Sequence, residues 1–359
     1  MANLFSPLTI KDVTLRNRIG VSPMCQYSAV DGVPTDWHLV HLGSRAVGGA
    51  GLVIAEATGV SAVGRITPGC TGLWNEAQIG GWERVTRFVK EHGAVAGVQI
   101  AHAGRKASTH KPWEGNHSLS EAEGAWQTLG PSDVSFGGHI THTPKAMTQA
   151  DIEQTVADFR QAAENALEAG FEWLEVHAAH GYLLHSFYSP LTNEREDAYG
   201  GSFENRVRML LEVVTAVRGV WPERLPLTVR VNSTDWHPDG WTIEDTVALA
   251  HKLKAAGVDL IDCSSSVPIS GSGVRVDRFP GWQVPFAERV KQEVGVLTAA
   301  VGGITEPALA NEIIEKGQAD VVLLAREMLK DAYWGFHAAE ELGIKAQDYM
   351  PVQNVFWMG

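Results

Sequence analysis

One pattern constrains the fold of this chain more than any other: a helical stretch, a glycine, then a short apolar run rich in branched residues. It occurs as VGGAG before LVIAEA (Leu52–Ala57) and as EHGAV before AGVQIAHA (Ala96–Ala103). It returns as LEAG before FEWLEVHAA (Phe171–Ala179), AAG before VDLIDCSSS (Val258–Ser266) and EKGQAD before VVLLAR (Val321–Arg326). Three further runs fit by position: RIGVSPM near the start, LPLTVRVN (Leu225–Asn232) and VLTAAVGGI (Val296–Ile304). The pattern predicts about eight strands alternating with helices.

The segments between read as helices. From Asp151 to Ala169, the residues Ile152, Val156, Phe159, Ala163 and Leu167 keep the three-to-four spacing of one helix face. Thr148 with Asp151 forms a capping-box pattern, and Gly170 suits the exit. Thr242 with Asp245 predicts another start, closed by Gly257. Thr305 is expected to open the next helix, with Pro307 in its first turn and Gly317 after it.

Eight such units close most simply into a (β/α)8 TIM barrel. A doubly wound open sheet is the alternative, but it wants a GxGxxG turn after an early strand. None is present; VGGAG precedes its strand. A bare barrel needs about 250 residues, and the chain has 359. Most of the surplus falls after the third strand, in a polar, lid-like stretch at about 104–147, and after the fourth, from Gly181 to Asn205. Both lie on the C-terminal face, where barrel enzymes carry their sites. No linker or composition break marks a second domain, so residues 1–359 are expected to form one.

Composition removes several function classes. The formal net charge of -13 argues against a nucleic-acid partner. Cys25, Cys70 and Cys263 are too few and too scattered for a disulfide framework or an iron–sulfur ligand set. No apolar run approaches the roughly 20 residues that span a bilayer, and the N-terminus lacks the apolar core of a secretion signal. A soluble, cytoplasmic protein without membrane contact is expected.

The strand ends carry the chemistry. Loops after the seventh and eighth strands of a barrel commonly bind phosphate, and here they offer Gly302, Gly303, Ala325 and Arg326. Glycines let backbone N–H groups approach an anion, and a guanidinium fork matches it. The plain alternative is a tight turn with a surface arginine. Elsewhere the rim presents Ser22-Pro23-Met24-Cys25-Gln26-Tyr27, Ala57, Gln99, His177, His180, Tyr182 and Arg230. No lysine stands at a strand end, which argues against a Schiff-base aldolase. His177 and His180 read as zinc ligands only if a third ligand joins them, and Glu175 is the nearest acid. Otherwise they are two donors for an oxygen on which charge develops. No metal is expected.

The segments SPMCQYS, QIAHAGRKA, HAAHGYLLHSFYSPLTNEREDAYGGSFENR, IDCSSS and FPGWQVPFAERV resemble the old yellow enzyme family of flavin reductases. The likeness is to its short bacterial branch of xenobiotic reductases and thermostable ene-reductases, and it runs from the first strand to the C-terminus. It implies a barrel that binds FMN, takes hydride from NADPH or NADH, and reduces electron-poor alkenes such as enones, maleimides and nitroalkenes. Carried over by position, the resemblance places the flavin ring against Ser22, Pro23, Met24, Cys25, Ala57 and Gln99. Arg230 would face its N1 and O2, and the phosphate would meet Gly302, Gly303, Ala325 and Arg326. Ala325 stands where the family usually has glycine.

The same likeness implies that His177 and His180 hold the substrate oxygen, Tyr182 protonates the α-carbon and Tyr27 packs over the substrate. Cys25 would sit beside the flavin; its plain alternative is a small buried hydrophobe. In the tail PVQNVFWMG, Trp357 either walls a neighbouring subunit's pocket or packs a dimer, and the resemblance implies a homodimer or homotetramer. In the lid, Arg105, Lys106 and Lys111 are either contacts for the extra phosphate of NADPH or solvated charges. A zinc hydrolase and a flavin-binding sensor remain as rival functions at this point.

Overall fold

The computed structural model describes residues 2–358. Its centre is a closed parallel barrel of eight strands in chain order. These are β1 (Ile19–Val21), β2 (Leu52–Gly59), β3 (Val95–Ala101), β4 (Trp173–Ala178), β5 (Leu227–Asn232), β6 (Leu260–Ser264), β7 (Leu297–Val301) and β8 (Val321–Leu324). Strand β8 pairs with β1 to close the ring. Every apolar run named above coincides with one strand; β2 runs two residues past its predicted end to Gly59, β3 begins one residue early at Val95, and the other strands are shorter than their runs. The (β/α)8 TIM barrel is therefore the fold.

The principal outer helices are α1 (Asp36–Val47), α2 (Glu76–Glu91), α3 (Gln149–Glu168), α4 (Arg208–Arg218), α5 (Ile243–Ala255), α6 (Val284–Val294), α7 (Pro307–Glu315) and α8 (Trp334–Glu341). Their starts follow side-chain chemistry. Thr148 and Thr242 accept hydrogen bonds from the N–H groups of Asp151 and Asp245, whose carboxylates reach back to the capping residues. Each box satisfies two backbone donors that a helix start otherwise leaves unpaired. Thr305 does not cap α7; the cap is Glu306 and Pro307 is the first helical residue. Proline fits there because a first-turn N–H has no intrahelical partner.

A continuous apolar core joins the strands to the inward helix faces, with Trp82, Trp173, Trp221 and Trp241 fully buried. The stretch at about 104–147 forms short 3-10 turns and one two-stranded pair, Leu129–Gly130 with Lys145–Ala146. Its Arg105 is buried and donates to the carbonyls of Val134, Ser135 and Pro268. Lys106 donates to the carbonyl of His180 at 2.9 Å. These two cations tie the segment to the barrel and are not solvated charges; Lys111 pairs with Glu114. Among the described residues no helix is long and apolar enough to cross a membrane.

Candidate active site

Strand register assembles the site at the C-terminal rim. It puts Gln99 beside Glu175, His177 beside Arg230, and Arg230 beside Asp262. Side chains two residues apart share a face, so Glu175 and His177 both face the barrel interior. The Glu175 carboxylate accepts from Gln99 Nε2 at 2.8 Å and lies 3.6 Å from Arg230 Nε. Arg230 also pairs with Asp262 and donates from Nη2 to Ser22 Oγ at 3.0 Å. Ser22, Gln99 and Arg230 are thus joined into one group, Ser22 by a hydrogen bond to Arg230 and Gln99 through the Glu175 carboxyl. Burial opposes the guanidinium charge, but Asp262 and Glu175 hold its pKa above the usual value.

His177, His180 and Tyr182 form a second group. The imidazole centroids are 5.1 Å apart and nearly perpendicular; the Tyr182 ring lies 5.0 Å from that of His177. The backbone makes a sharp turn here, with positive φ at His180 (62°) and Gly181 (74°). His185 braces that turn. Its Nδ1 accepts from the Gly181 N–H at 2.7 Å, and its Nε2 meets Asp235 at 2.8 Å.

The tautomer of His177 follows from its contacts. Nδ1 accepts from the Ala179 N–H at 3.3 Å, so the proton of the neutral ring is on Nε2. His180 Nε2 lies 2.7 Å from Ser264 Oγ. Burial pushes both histidine pKa values well below the ordinary range, and nearby cations including Arg230 and Lys106 add to the effect. Both rings are neutral at pH 7. Burial, with Cys25 next, pushes the Tyr182 phenol upward, so it keeps its proton. Lys106 Nζ sits 4.6 Å over the Tyr182 ring.

The β1 loop supplies the third group. Cys25 stays a thiol because burial, and then Glu56, raise its pKa. Glu56 accepts from the Gln26 N–H and lies 2.8 Å from His38 Nε2. Tyr27 is held at a φ of 50°, with its ring 6.0 Å from Trp113. Pro23 and Met24 are half-buried on the same loop, and Ala57 lies at the β2 bulge.

Gly302, Gly303, Ala325 and Arg326 line one cavity of about 310 Å³, with Glu327 and Lys330 on its wall. A Cβ on Gly302 would fall 2.4 Å from Gln283 Nε2, and one on Gly303 would fall 2.7 Å from the Phe279 carbonyl oxygen. Both glycines have positive φ, at 106° and 68°, so this cradle needs glycine twice over. Backbone donors with the Arg326 guanidinium fit the phosphate end of FMN; Lys330 is paired with Glu327 at 2.9 Å.

Trp357 stands apart from these groups in this chain. It is 82% exposed, and its ring meets that of Phe356 edge-on. Sequence reasoning missed Ser264, Glu56 and the His185–Asp235 brace, and named Lys106 only as a lid charge. Ser264 was visible in the IDCSSS run; the others act through contacts that no local pattern encodes. Among the described residues no three His, Cys, Asp or Glu gather as a metal site.

Known proteins extend this geometry. The NADPH dehydrogenase of Geobacillus sp. (strain WCH70) is 48% identical over 342 residues, covering 95% of this chain and 94% of its own. The solved complex of morphinone reductase with tetrahydroNAD aligns at TM-score 0.80 and 28% identity, covering 99% and 94% of the two chains. A 2-naphthoyl-CoA reductase complex with 2-naphthoyl-CoA reaches TM-score 0.85 at 26% identity over 97% of this chain, which spans 53% of that longer protein. The profile of one family covers residues 3–344. With that match and relatives near half identical over almost their whole length, the chain belongs to the NADH:flavin oxidoreductase / NADH oxidase family.

Proposed function

We propose that this FMN- and NAD(P)H-dependent oxidoreductase is an ene-reductase acting on electron-poor C=C bonds of enones, maleimides and nitroalkenes. The carrying observation is the cluster of two neutral imidazoles and one protonated phenol. When bound, FMN would supply the hydride chemistry, with NAD(P)H as the reductant.

The chain's residues do the rest. His177 donates from Nε2 to the activating carbonyl or nitro oxygen. His180, whose Nε2 is hydrogen-bonded to Ser264 Oγ at 2.7 Å, is the second donor to the same oxygen. Two neutral donors aimed at developing negative charge lower the barrier without holding a counter-charge beforehand. Tyr182 gives its proton to the α-carbon; a phenol with a raised pKa is loaded at every working pH. Tyr27 covers the substrate.

Ser22, Gln99 and Arg230 face the pyrimidine edge of the ring, where a cation favours the added electron pair. Pro23, Met24, Cys25 and Ala57 pack against the ring, and Gly302, Gly303, Ala325 and Arg326 hold the phosphate. The exposure of Phe356 and Trp357 supports a homodimer or homotetramer in which Trp357 walls a neighbour's pocket. Sedimentation of the full chain and of a chain ending at residue 351 tests that arrangement.

The reading is tested by anaerobic visible spectra of the purified protein. Flavin bands should bleach with NADPH and return with 2-cyclohexenone. Bands that bleach and stay bleached would remove the alkene chemistry.

A further inference from the structure

Inside the barrel, below the His177 rim, two carboxylates face one guanidinium. Glu175 on β4, Arg230 on β5 and Asp262 on β6 are all buried. Arg230 Nε contacts Asp262 closely and stands 3.6 Å from Glu175 Oε1, while Gln99 Nε2 donates to that same oxygen at 2.8 Å. With both acids ionised the group would carry an uncompensated negative charge away from water, an arrangement that buried sites avoid.

A second observation points the same way. Asp262 Oδ1 is buried and receives no donor, although the Glu175 carboxyl lies within hydrogen-bonding reach of the Asp262 carboxyl. Two ionised carboxylates cannot bond to each other. One proton satisfies both. Arg230 engages Asp262 more closely, so the proton belongs on Glu175. The charged and titratable groups facing Glu175 are Arg230 on β5, Asp262 on β6 and, two residues along β4, His177, which is neutral. From β3 comes the uncharged Gln99.

We propose that Glu175 is a positioning residue: protonated, it donates a hydrogen bond to Asp262 while accepting one from Gln99, which orients the Gln99 amide and leaves Arg230 in a group of zero net charge. The proposal rests on the reading of Gln99 and Arg230 as partners of the flavin pyrimidine edge. Burial, and then Asp262, raise the Glu175 pKa against the opposing pull of Arg230. Negative charge arriving at the pyrimidine edge raises it further, by like-charge repulsion. Over the alkaline range where Glu175 is ionised before reduction and protonated after it, reduction takes up one extra proton from solvent.

Two readouts test this on the holoenzyme. Infrared spectra of protein labelled with 13C-glutamate should contain, at neutral pH, the C=O stretch of a protonated carboxyl that shifts with the label. Glu175→Gln should remove it. So should Asp262→Asn, which leaves Arg230 to pair with an ionised Glu175. A missing band in the wild type, or one that persists in either variant, would overturn the proposal. The second readout is flavin midpoint potential against pH. The alkaline limb should carry one more proton per flavin in the wild type than in Glu175→Gln; identical slopes would overturn the coupling. If the protein binds no FMN, the reading of Gln99 and Arg230 falls, while the infrared band still decides whether Glu175 carries the proton.

Discussion

Arg326 and Arg230 are the two arginines of the proposed flavin site, and the fold holds them in opposite ways. Arg326 is exposed at the start of the short helix after β8, on a cavity that it shares with the β7 loop, whose shape comes from two glycines with positive φ. Arg230 is buried between Glu175 and Asp262 and bonded to Ser22. An exposed cation is screened by water and salt, so its grip on a phosphate is modest and adjustable. A buried cation is fixed by its partners and keeps its charge in any medium. The binding end of the site is tolerant, and the chemical end is rigid.

The strongest way to break this contrast is Arg230→Ala. Removing the guanidinium leaves the buried Asp262 carboxylate uncompensated, at a cost of about 3–5 kcal/mol. Thermal unfolding should show the loss, and a variant as stable as the wild type would mean that the carboxylates reach water.

Next comes pH. His177, His180, His102 and His41 all have pKa values lowered by burial, to about 4 for His102 and about 3 for His41. The unfolded chain binds protons at these positions below about pH 6.5 while the folded chain does not, so stability must fall as pH falls. Each contributes about 1.4 kcal/mol per pH unit in that window. Denaturant titrations at pH 7.5 and 5.5 measure it. Substrate binding should show no inflection near 6.5, because the two rim imidazoles are already neutral.

Smaller effects sharpen the exposed side. Arg326→Ala should weaken FMN binding by about tenfold, about 1.4 kcal/mol, and the loss should shrink at high salt. Fluorescence titration of FMN at two ionic strengths checks both. The smallest expected effect is Ser264→Ala, which removes one hydrogen bond to His180. A loss of about 1 kcal/mol in kcat/KM for the enone is expected, with the reaction with NADPH unchanged.

The same contrast explains what the sequence disclosed. Strands came from glycine followed by branched residues, and α3 and α5 from Thr148–Asp151 and Thr242–Asp245, because those signals are local. The end of β7 was legible for the same reason: Gly302 and Gly303 are needed where they stand. Arg105 and Lys106 read only as phosphate contacts or solvated charges because their partners are carbonyls of Val134 and Ser135 farther along the same stretch and of Pro268 and His180 on other loops. Nothing near Glu175 in the sequence announces that one carboxyl oxygen of Asp262, 87 positions on, lacks a donor. His177, His180 and Tyr182 were named from a motif; their tautomers and protonation came from contacts.

The most direct test of the ene-reductase reading is Tyr182→Phe, with the two half-reactions followed separately by anaerobic stopped flow. Reduction by NADPH should keep its rate. Reoxidation by 2-cyclohexenone should slow by about a hundredfold or more, the usual worth of a positioned general acid. Reoxidation at the wild-type rate would contradict the assignment of Tyr182 as the proton donor.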